Sequence, residues 1–105
     1  MEDVVTLSSS GESGSIRFTI PPTTIESLGL EIGDIVEFYI KGIFKDKDQK
    51  IPDEPSFITP IRGYIIGIGG TSLGVTIKKS HVKRYDLVEG YELVIDINLL
   101  KKKAK

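Results

Sequence analysis

Apolar and polar positions alternate with the two-residue period of a β-strand in several short segments of the chain. At 16–20, the sequence IRFTI places Ile16, Phe18 and Ile20 on one face and Arg17 and Thr19 on the other. Successive side chains of a strand point to opposite faces, so this pattern predicts a strand with one buried face. Similar short runs rich in β-branched residues predict further strands at 4–7, 35–40, 63–68, 73–77 and 91–97.

Two short segments between these strands have features of helices. At 22–28, Pro22 stands at the first position, where its missing N–H needs no partner. Gly29 follows the segment, which predicts a left-handed residue that ends the helix. A second short helix is predicted at 79–86. The residues expected to face the core from the two helices are Ile25, Leu28, Val82 and Tyr85.

The segment at 73–97 repeats the pattern of 16–40 without a gap, at a shift of 57 positions. The identical pairs are Thr19/Thr76, Ile20/Ile77, Leu30/Leu87, Gly33/Gly90 and Ile40/Ile97. The apolar matches fall on inward positions, as expected for two copies of one packing unit. A single copy would have open strand edges and an uncovered apolar face. We therefore expect the copies to close each other into a small β-barrel about a pseudo-twofold axis.

The chain length is typical of a single domain, here 1–105. We predict a mainly β fold with two short helices, built from two ββαβ repeats at 1–44 and 61–100. The segment at 45–60 is charged and holds three of the five prolines, which favours a linker or exposed hairpin. The residues at 101–105 are expected to form a frayed basic tail.

The composition argues against several kinds of chemistry. The absence of cysteine excludes disulfides, thiolate metal sites and cysteine nucleophiles, and one histidine is a poor basis for a zinc site. Ser80 and His81 are sequence neighbours without an evident acidic partner, so a hydrolase triad is unsupported. The glycines at 67–74 lack the Lys-Ser/Thr of a phosphate-binding loop. We expect no enzyme, no catalytic residue, no metal and no cofactor.

The net charge of −1 conceals two halves of opposite sign. Residues 1–60 hold five Lys/Arg and eleven Asp/Glu, whereas residues 61–105 hold nine Lys/Arg and four Asp/Glu. This asymmetry favours a polar partner for the basic half, although solubility alone is an alternative explanation. The acidic start lacks the features of a signal peptide, and no apolar run approaches membrane-spanning length. The expectation is a cytoplasmic protein without membrane contact.

The run RFTIPPTTIESLGLEIGDIVEF resembles the strand–helix–turn core of AbrB/MazE/SpoVT-type swapped-hairpin domains. The residues that carry this resemblance are Arg17, Thr19, Ile20-Pro21, Leu28-Gly29-Leu30 and Gly33-Asp34. The second copy, TSLGVTIKKSHVKRYDLVEGYELVI, is similar to the same core. It differs where Lys78 replaces the proline, Asp86 replaces the glycine stop and Tyr91 replaces the Asp of the Gly-Asp turn.

The resemblance implies a barrel of the AbrB/MazE swapped-hairpin type or of the related double-psi type. Members of the swapped-hairpin family are mostly small dimeric DNA-binding regulators, including antitoxins, so duplex DNA is the implied partner. A homodimer, or a complex with a toxin or other partner protein, is implied as well. Related barrels also serve as substrate-binding domains of chaperone ATPases, so the resemblance leaves the barrel type open.

Seven residues are the candidates for DNA contact: Arg17, Arg62, Lys78, Lys79, His81, Lys83 and Arg84. Arg17 matches the family's DNA-contacting arginine, and a guanidinium can pair with a guanine or a phosphate. Gly74 takes its place in the second copy, so a symmetric contact is lost. The alternative for each residue is a solvated surface side chain. The lysines of the tail are expected to be auxiliary.

We therefore predict a non-catalytic transcription regulator that binds duplex DNA through basic residues on the face of the barrel. Acidic residues of the first half, such as Glu12, Glu26 and Glu37, must then lie away from the phosphates. The alternative is a protein-interaction module, either an antitoxin-like subunit or an adaptor. In that case the segment at 45–60 would be the contact element.

Overall fold

The computed structural model describes residues 1–11, 14–56 and 58–103. Six strands and two short helices follow one another along the chain. In order they are β1 (Glu2–Ser9), β2 (Ile16–Thr19), α1 (Pro22–Leu28), β3 (Ile35–Phe44), β4 (Ile61–Gly69), β5 (Ser72–Ile77), α2 (Lys79–Arg84) and β6 (Glu92–Lys101). Residues 12–13, 57 and 104–105 lie outside the described residues. They include Glu12, one residue of the 45–60 segment and two residues of the predicted tail.

The six strands form one closed barrel in the order β1-β2-β5-β4-β3-β6. Every neighbouring pair is antiparallel, and β6 returns to β1 to complete the ring. Closure gives each of these strands two hydrogen-bonded neighbours, which removes the open edges that one repeat alone would have. The prediction of a mainly β fold with two short helices and a small closed barrel is confirmed.

The strand registers follow the internal repeat. Across β3 and β6, Phe38 pairs with Ile97, and the residues 57 positions away, Ile95 and Ile40, pair with each other. The β2–β5 pair has the same property, because both strands occupy equivalent places in their repeats. Exchanging the two copies therefore reproduces the pairing, as a pseudo-twofold axis through the barrel requires.

The turns before β3 and β6 are also equivalent. The N–H of Gly33 donates to the carbonyl of Ile65, and the N–H of Gly90 donates to the carbonyl of Leu7, each at 2.9 Å. The φ angles of the two glycines are 95° and 96°. This region of backbone conformation favours glycine, which explains why Gly33 and Gly90 are identical in the repeat.

A left-handed residue follows each helix. Gly29 has φ 65° at the end of α1, which confirms the predicted glycine stop. At the equivalent position after α2, Asp86 has φ 53°. Among the described residues, Asp86 alone has a positive φ without being a glycine. The second copy has thus kept the backbone conformation after losing the glycine.

The core fills the inside of the barrel with the inward residues of both repeats. Phe18 and Phe38 meet edge to face, with ring centroids 5.3 Å apart and both side chains fully buried. Such aromatic contacts contribute beyond the area they bury. The other large side chains that are almost fully buried are Leu7, Ile20, Ile40, Ile61, Ile65, Ile77, Leu93, Ile95 and Ile97.

Several predicted boundaries differ from the observed ones. The strand β3 continues past Ile40 to Phe44 through an irregularity in its pairing, and β6 extends to Lys101. The predicted frayed tail is therefore wrong for its described residues, because Lys101 is part of β6. The segment at 45–60 is exposed or half-buried throughout its described residues, in agreement with its predicted position outside the core. Among the described residues, no helix has the length and apolarity to cross a membrane.

Candidate nucleic-acid interface

Arg17 lies on the outward face of β2, between β1 and β5. It is opposite Ser8 on one side and Thr76 on the other. The side chain is half-buried, and its Nε is buried without a hydrogen-bond partner. A buried donor without an acceptor carries a desolvation penalty. Because Nε is buried, any contact of Arg17 with an external phosphate or base edge would have to use the terminal nitrogens of its guanidinium.

Gly74 occupies the place of Arg17 in the second repeat because a side chain has no room there. A Cβ at Gly74 would be 2.5 Å from the carbonyl oxygen of Phe18 and would collide with the side chain of Ile68. The asymmetry noted in the sequence thus has a packing cause. Only the first repeat can present a cation at this position of the barrel.

Lys78, Lys79 and Lys83, here called the lysine cluster, lie at the start and on the surface of α2. All three side chains are exposed, and no ion pair of the described residues includes them. The lysines point outward because the opposite side of the helix faces the core. Val82 packs against the core, and Tyr85 is 6% exposed. The outward prediction for these lysines is confirmed.

The remaining α2 candidates are placed differently. Arg84 is exposed in the last turn, whereas His81 is half-buried and its carbonyl accepts the N–H of Tyr85. The hydroxyls of Tyr85 and Thr59 are 3.1 Å apart and share a hydrogen bond. This contact attaches the residue that follows α2 to the segment that leads into β4.

Lys79 also lies against the loop between β1 and β2. A Cβ at Gly14 would be 2.8 Å from Cδ of Lys79, so the lysine stem passes directly over the glycine backbone. The absence of a side chain at Gly14 allows this close approach of the lysine, so Gly14 and α2 are in direct contact.

Arg62 is on β4 and has an acidic neighbour. It pairs with Glu37 of β3 in the strand register, and its Nε donates to Oε2 of Glu37 at 3.3 Å. The arginine side chain is 68% exposed and the glutamate 22%. The arginine end of this pair is exposed to solvent, which weakens the pair, so another anion can compete with Glu37 for Arg62.

Asp34 is fully buried and is held by the residues that were predicted to be a frayed tail. Its Oδ2 accepts from Nζ of Lys102 at 2.7 Å, and its Oδ1 accepts from the N–H of Lys103 at 2.8 Å. The N–H of Glu31 donates to the same carboxylate at 2.8 Å. The hydrogen bond from Lys102 is the main reason that the pKa of Asp34 lies below its ordinary value. The same bond raises the pKa of Lys102.

Other acidic residues have cationic partners as well. Lys41 pairs with Glu2 at 3.3 Å, Lys45 pairs with Asp53 at 3.6 Å, and Lys102 also contacts Glu31 at 3.0 Å. Much of the negative charge of the first half is therefore compensated locally. Within the described part of the chain, no group of three metal-ligating side chains is placed to hold a metal ion.

An open groove of about 440 Å³ connects Arg62 with Lys78 on the outer face of β4 and β5. Its lining consists of Ile35, Arg62, Gly63, Tyr64, Ile66, Thr76 and Lys78. The pairing of Ile65 with Val75 places the adjacent outward residues Tyr64 and Thr76 side by side. Thr76 is also opposite Arg17 in the strand register. Arg17, the groove and Lys78 are therefore neighbours on one outward face.

The structure thus divides the seven candidates into two connected groups. Arg17 and Arg62 lie on the outward faces of β2 and β4, and the others lie on α2. Lys78, between β5 and α2, connects the two groups. Sequence reasoning missed Tyr64 as a surface residue. The run GYIIGI at 63–68 is almost continuously apolar, so it does not indicate which residues point outward. It also missed the ion pair of Asp34 and Lys102, because the sequence of the Gly33-Asp34 turn does not indicate which residue pairs with Asp34.

Comparison with models of protein families, with curated proteins and with solved structures finds no match of significant similarity in any of the three.

Proposed function

We propose that the protein is a non-catalytic DNA-binding regulator that contacts the duplex backbone through the lysine cluster and Arg17. The observation that carries the proposal is the exposure of three lysines on one short stretch of the surface, where none of them has an ion-pair partner among the described residues. Several acidic side chains of the described residues have local cationic partners instead. The charge available to an external anion is therefore positive at α2.

Phosphate binding requires cations that are fixed in position and not neutralised by the protein itself. Contacts on the other side of α2, through Val82 and Tyr85, hold the helix in place. Each lysine that neutralises a phosphate releases condensed counterions, which makes the binding sensitive to salt. Arg17 adds a half-buried guanidinium on the outward face of β2. A guanidinium at such a position can bind a phosphate or a guanine edge in a fixed orientation.

The first test is the salt dependence of duplex binding by a variant with Lys78, Lys79 and Lys83 changed to Gln. Each phosphate contact contributes about 0.9 to the slope of log K against log salt concentration. Three lost contacts should reduce the slope by about 2.7. The control changes three exposed lysines of the 45–60 segment, Lys45, Lys47 and Lys50, to Gln. It removes the same formal charge and should keep most of the wild-type slope.

The second test compares Arg17→Ala with Arg17→Lys in the same titration. Loss of the guanidinium in Arg17→Ala should weaken binding, and Arg17→Lys should restore the charge but not the forked donor. Unchanged affinity in Arg17→Ala, together with an unchanged slope in the lysine-cluster variant, would reject the proposed surface. An equal loss of slope in the 45–60 control would show that net charge alone determines binding.

A second candidate function, a protein-interaction module, is favoured by the order of the 45–60 segment. Backbone hydrogen bonds of 2.9 and 2.8 Å join Ile43 and Asp53, and the Gln49 amide donates to the carbonyl of Ile51 at 2.8 Å. The segment also folds back on β3, since a Cβ at Gly42 would be 2.8 Å from Pro52. Ile51 is nevertheless 79% exposed on this ordered support.

This second candidate predicts that Ile51→Ser reduces binding to a partner protein while the affinity for DNA stays at the wild-type value. Lys47→Ser, on the same exposed segment, is the matched control. The two functions can be separated because the lysine-cluster variant should have the opposite effects. A loss of DNA affinity in Ile51→Ser would contradict the separation.

A further inference from the structure

We propose that the groove between Arg62 and Lys78 binds one unpaired nucleotide of a DNA strand, with the base against Tyr64. This inference rests on the proposed function and assigns a ligand to the part of the surface next to the lysine cluster. Its basis is the combination, in one open groove, of an exposed aromatic ring, apolar lining residues and two cationic side chains.

The groove contains an exposed aromatic ring. Tyr64 is 65% exposed although it lies on a strand of the barrel. Ile35 is its partner across the β3–β4 pair, and both side chains line the groove together with Ile66. The groove therefore offers one face of a tyrosine beside aliphatic surface. Unpaired bases stack on such rings, whereas the bases of an intact duplex are stacked on one another and do not reach them.

The lining of the groove also carries positive charge. Arg62 and Lys78 contribute cations to its lining. Arg62 is paired with the half-buried Glu37 at 3.3 Å, and Lys78 has no ion-pair partner among the described residues. A base that carries its phosphate matches this arrangement, because it combines an apolar planar surface with an adjacent anion. Lys78 belongs to both the groove and the lysine cluster, so one strand can contact both.

The closure of the barrel argues against the main alternative, an acidic peptide. Peptides commonly bind β-domains by adding a strand to an open sheet edge. Here each strand of the described barrel already has neighbours on both sides. A peptide would have to bind through side chains alone, across a groove whose most exposed large surface is a single ring. The shape and the charge together favour a nucleotide.

The test compares two DNA hairpins with the same number of phosphates, each closed by a polyethylene glycol linker in place of a loop of unpaired bases. One is fully paired up to its end, and the other has a three-nucleotide single-stranded extension. Fluorescence anisotropy measures the affinity of the wild-type protein for each. Stacking of one base on an aromatic ring is expected to strengthen binding of the extended hairpin by roughly 5-fold to 100-fold. Equal affinities for the two hairpins would overturn the proposal.

Three variants identify the ring as the cause. Tyr64→Ala should remove the preference for the extended hairpin, and Tyr64→Phe should keep it because the ring remains. Val4→Ala truncates another exposed apolar residue, on the outward face of β1 away from the groove, and should keep the preference too. Persistence of the preference in Tyr64→Ala would overturn the proposal. Thermal unfolding of each variant shows whether the fold is intact.

The same titrations separate this inference from the proposed function. If the fully paired hairpin fails to bind, the duplex proposal fails. A single-stranded oligonucleotide that binds the wild type but not Tyr64→Ala would still support the groove. Conversely, salt-sensitive duplex binding without any preference for the extension would retain the proposed function and reject the groove. Equal competition by a glutamate-rich peptide of matched charge would overturn the assignment to a nucleotide.

Discussion

The left-handed residue after α2 allows a direct test of the equivalence of the two repeats. Gly29 and Asp86 have φ angles of 65° and 53°, although only one of them is glycine. An L-residue in this conformation places its Cβ close to the following carbonyl, which costs about 1–2 kcal/mol. We expect that Asp86→Gly stabilises the protein and that Asp86→Ala does not.

The magnitude follows from two opposing effects. Replacing a side chain by glycine removes the left-handed strain but adds about 0.4–1 kcal/mol of conformational entropy to the unfolded chain. The net difference between Asp86→Gly and Asp86→Ala should therefore be about 1 kcal/mol in favour of glycine. A Cβ at Gly29 would meet no atom within 4 Å. Gly29→Ala should consequently cost about the same, through the backbone alone.

Urea titration and thermal unfolding measure these differences. For a domain of this size, 1 kcal/mol corresponds to a shift in melting temperature of about 4–8 °C. If the two positions are equivalent, the stability lost in Gly29→Ala equals the difference between the two Asp86 variants within experimental error. If Asp86→Ala proved as stable as Asp86→Gly, the left-handed conformation at this position would be refuted.

Two further predictions concern other features of the barrel. Gly74→Ala should destabilise the protein by about 1–3 kcal/mol in urea titrations, because the new Cβ would collide with Ile68 and with the backbone of Phe18; a neutral effect would contradict the packing explanation for this glycine. Lys102→Met should destabilise the protein most at neutral pH. The lowered pKa of Asp34 means that its contribution is present above the ordinary aspartate value of 3.8 and is lost as the pH falls. The raised pKa of Lys102 means that its contribution is present below the ordinary lysine value of 10.5 and is lost as the pH rises. A deficit in the variant that stays constant from acid to alkaline pH would show that the pair does not cause it.

The repeat and the periodicity of the chain by themselves determined the architecture. Gly33 and Gly90 are identical in the two copies and share one backbone conformation that favours glycine. At such positions the residue type indicates the local backbone geometry. The alternation at 16–20 identifies the inward residues of β2 because a strand exposes its faces in turn. The barrel then follows from the need of each copy to cover the other's edges.

The tertiary structure alone decided which side chains are paired or exposed on the barrel surface. Asp34 and Lys102 are far apart in the chain, and their contact depends on β6 extending to Lys101 beside β3. Tyr64 is exposed although its neighbours in the sequence are apolar, since the side of β4 that faces the core is set by its pairing with β3 and β5. Sequence patterns report the period of a strand, whereas partners across a barrel are chosen by closure and register. That difference explains why the fold was predictable while the groove and the buried ion pair were not.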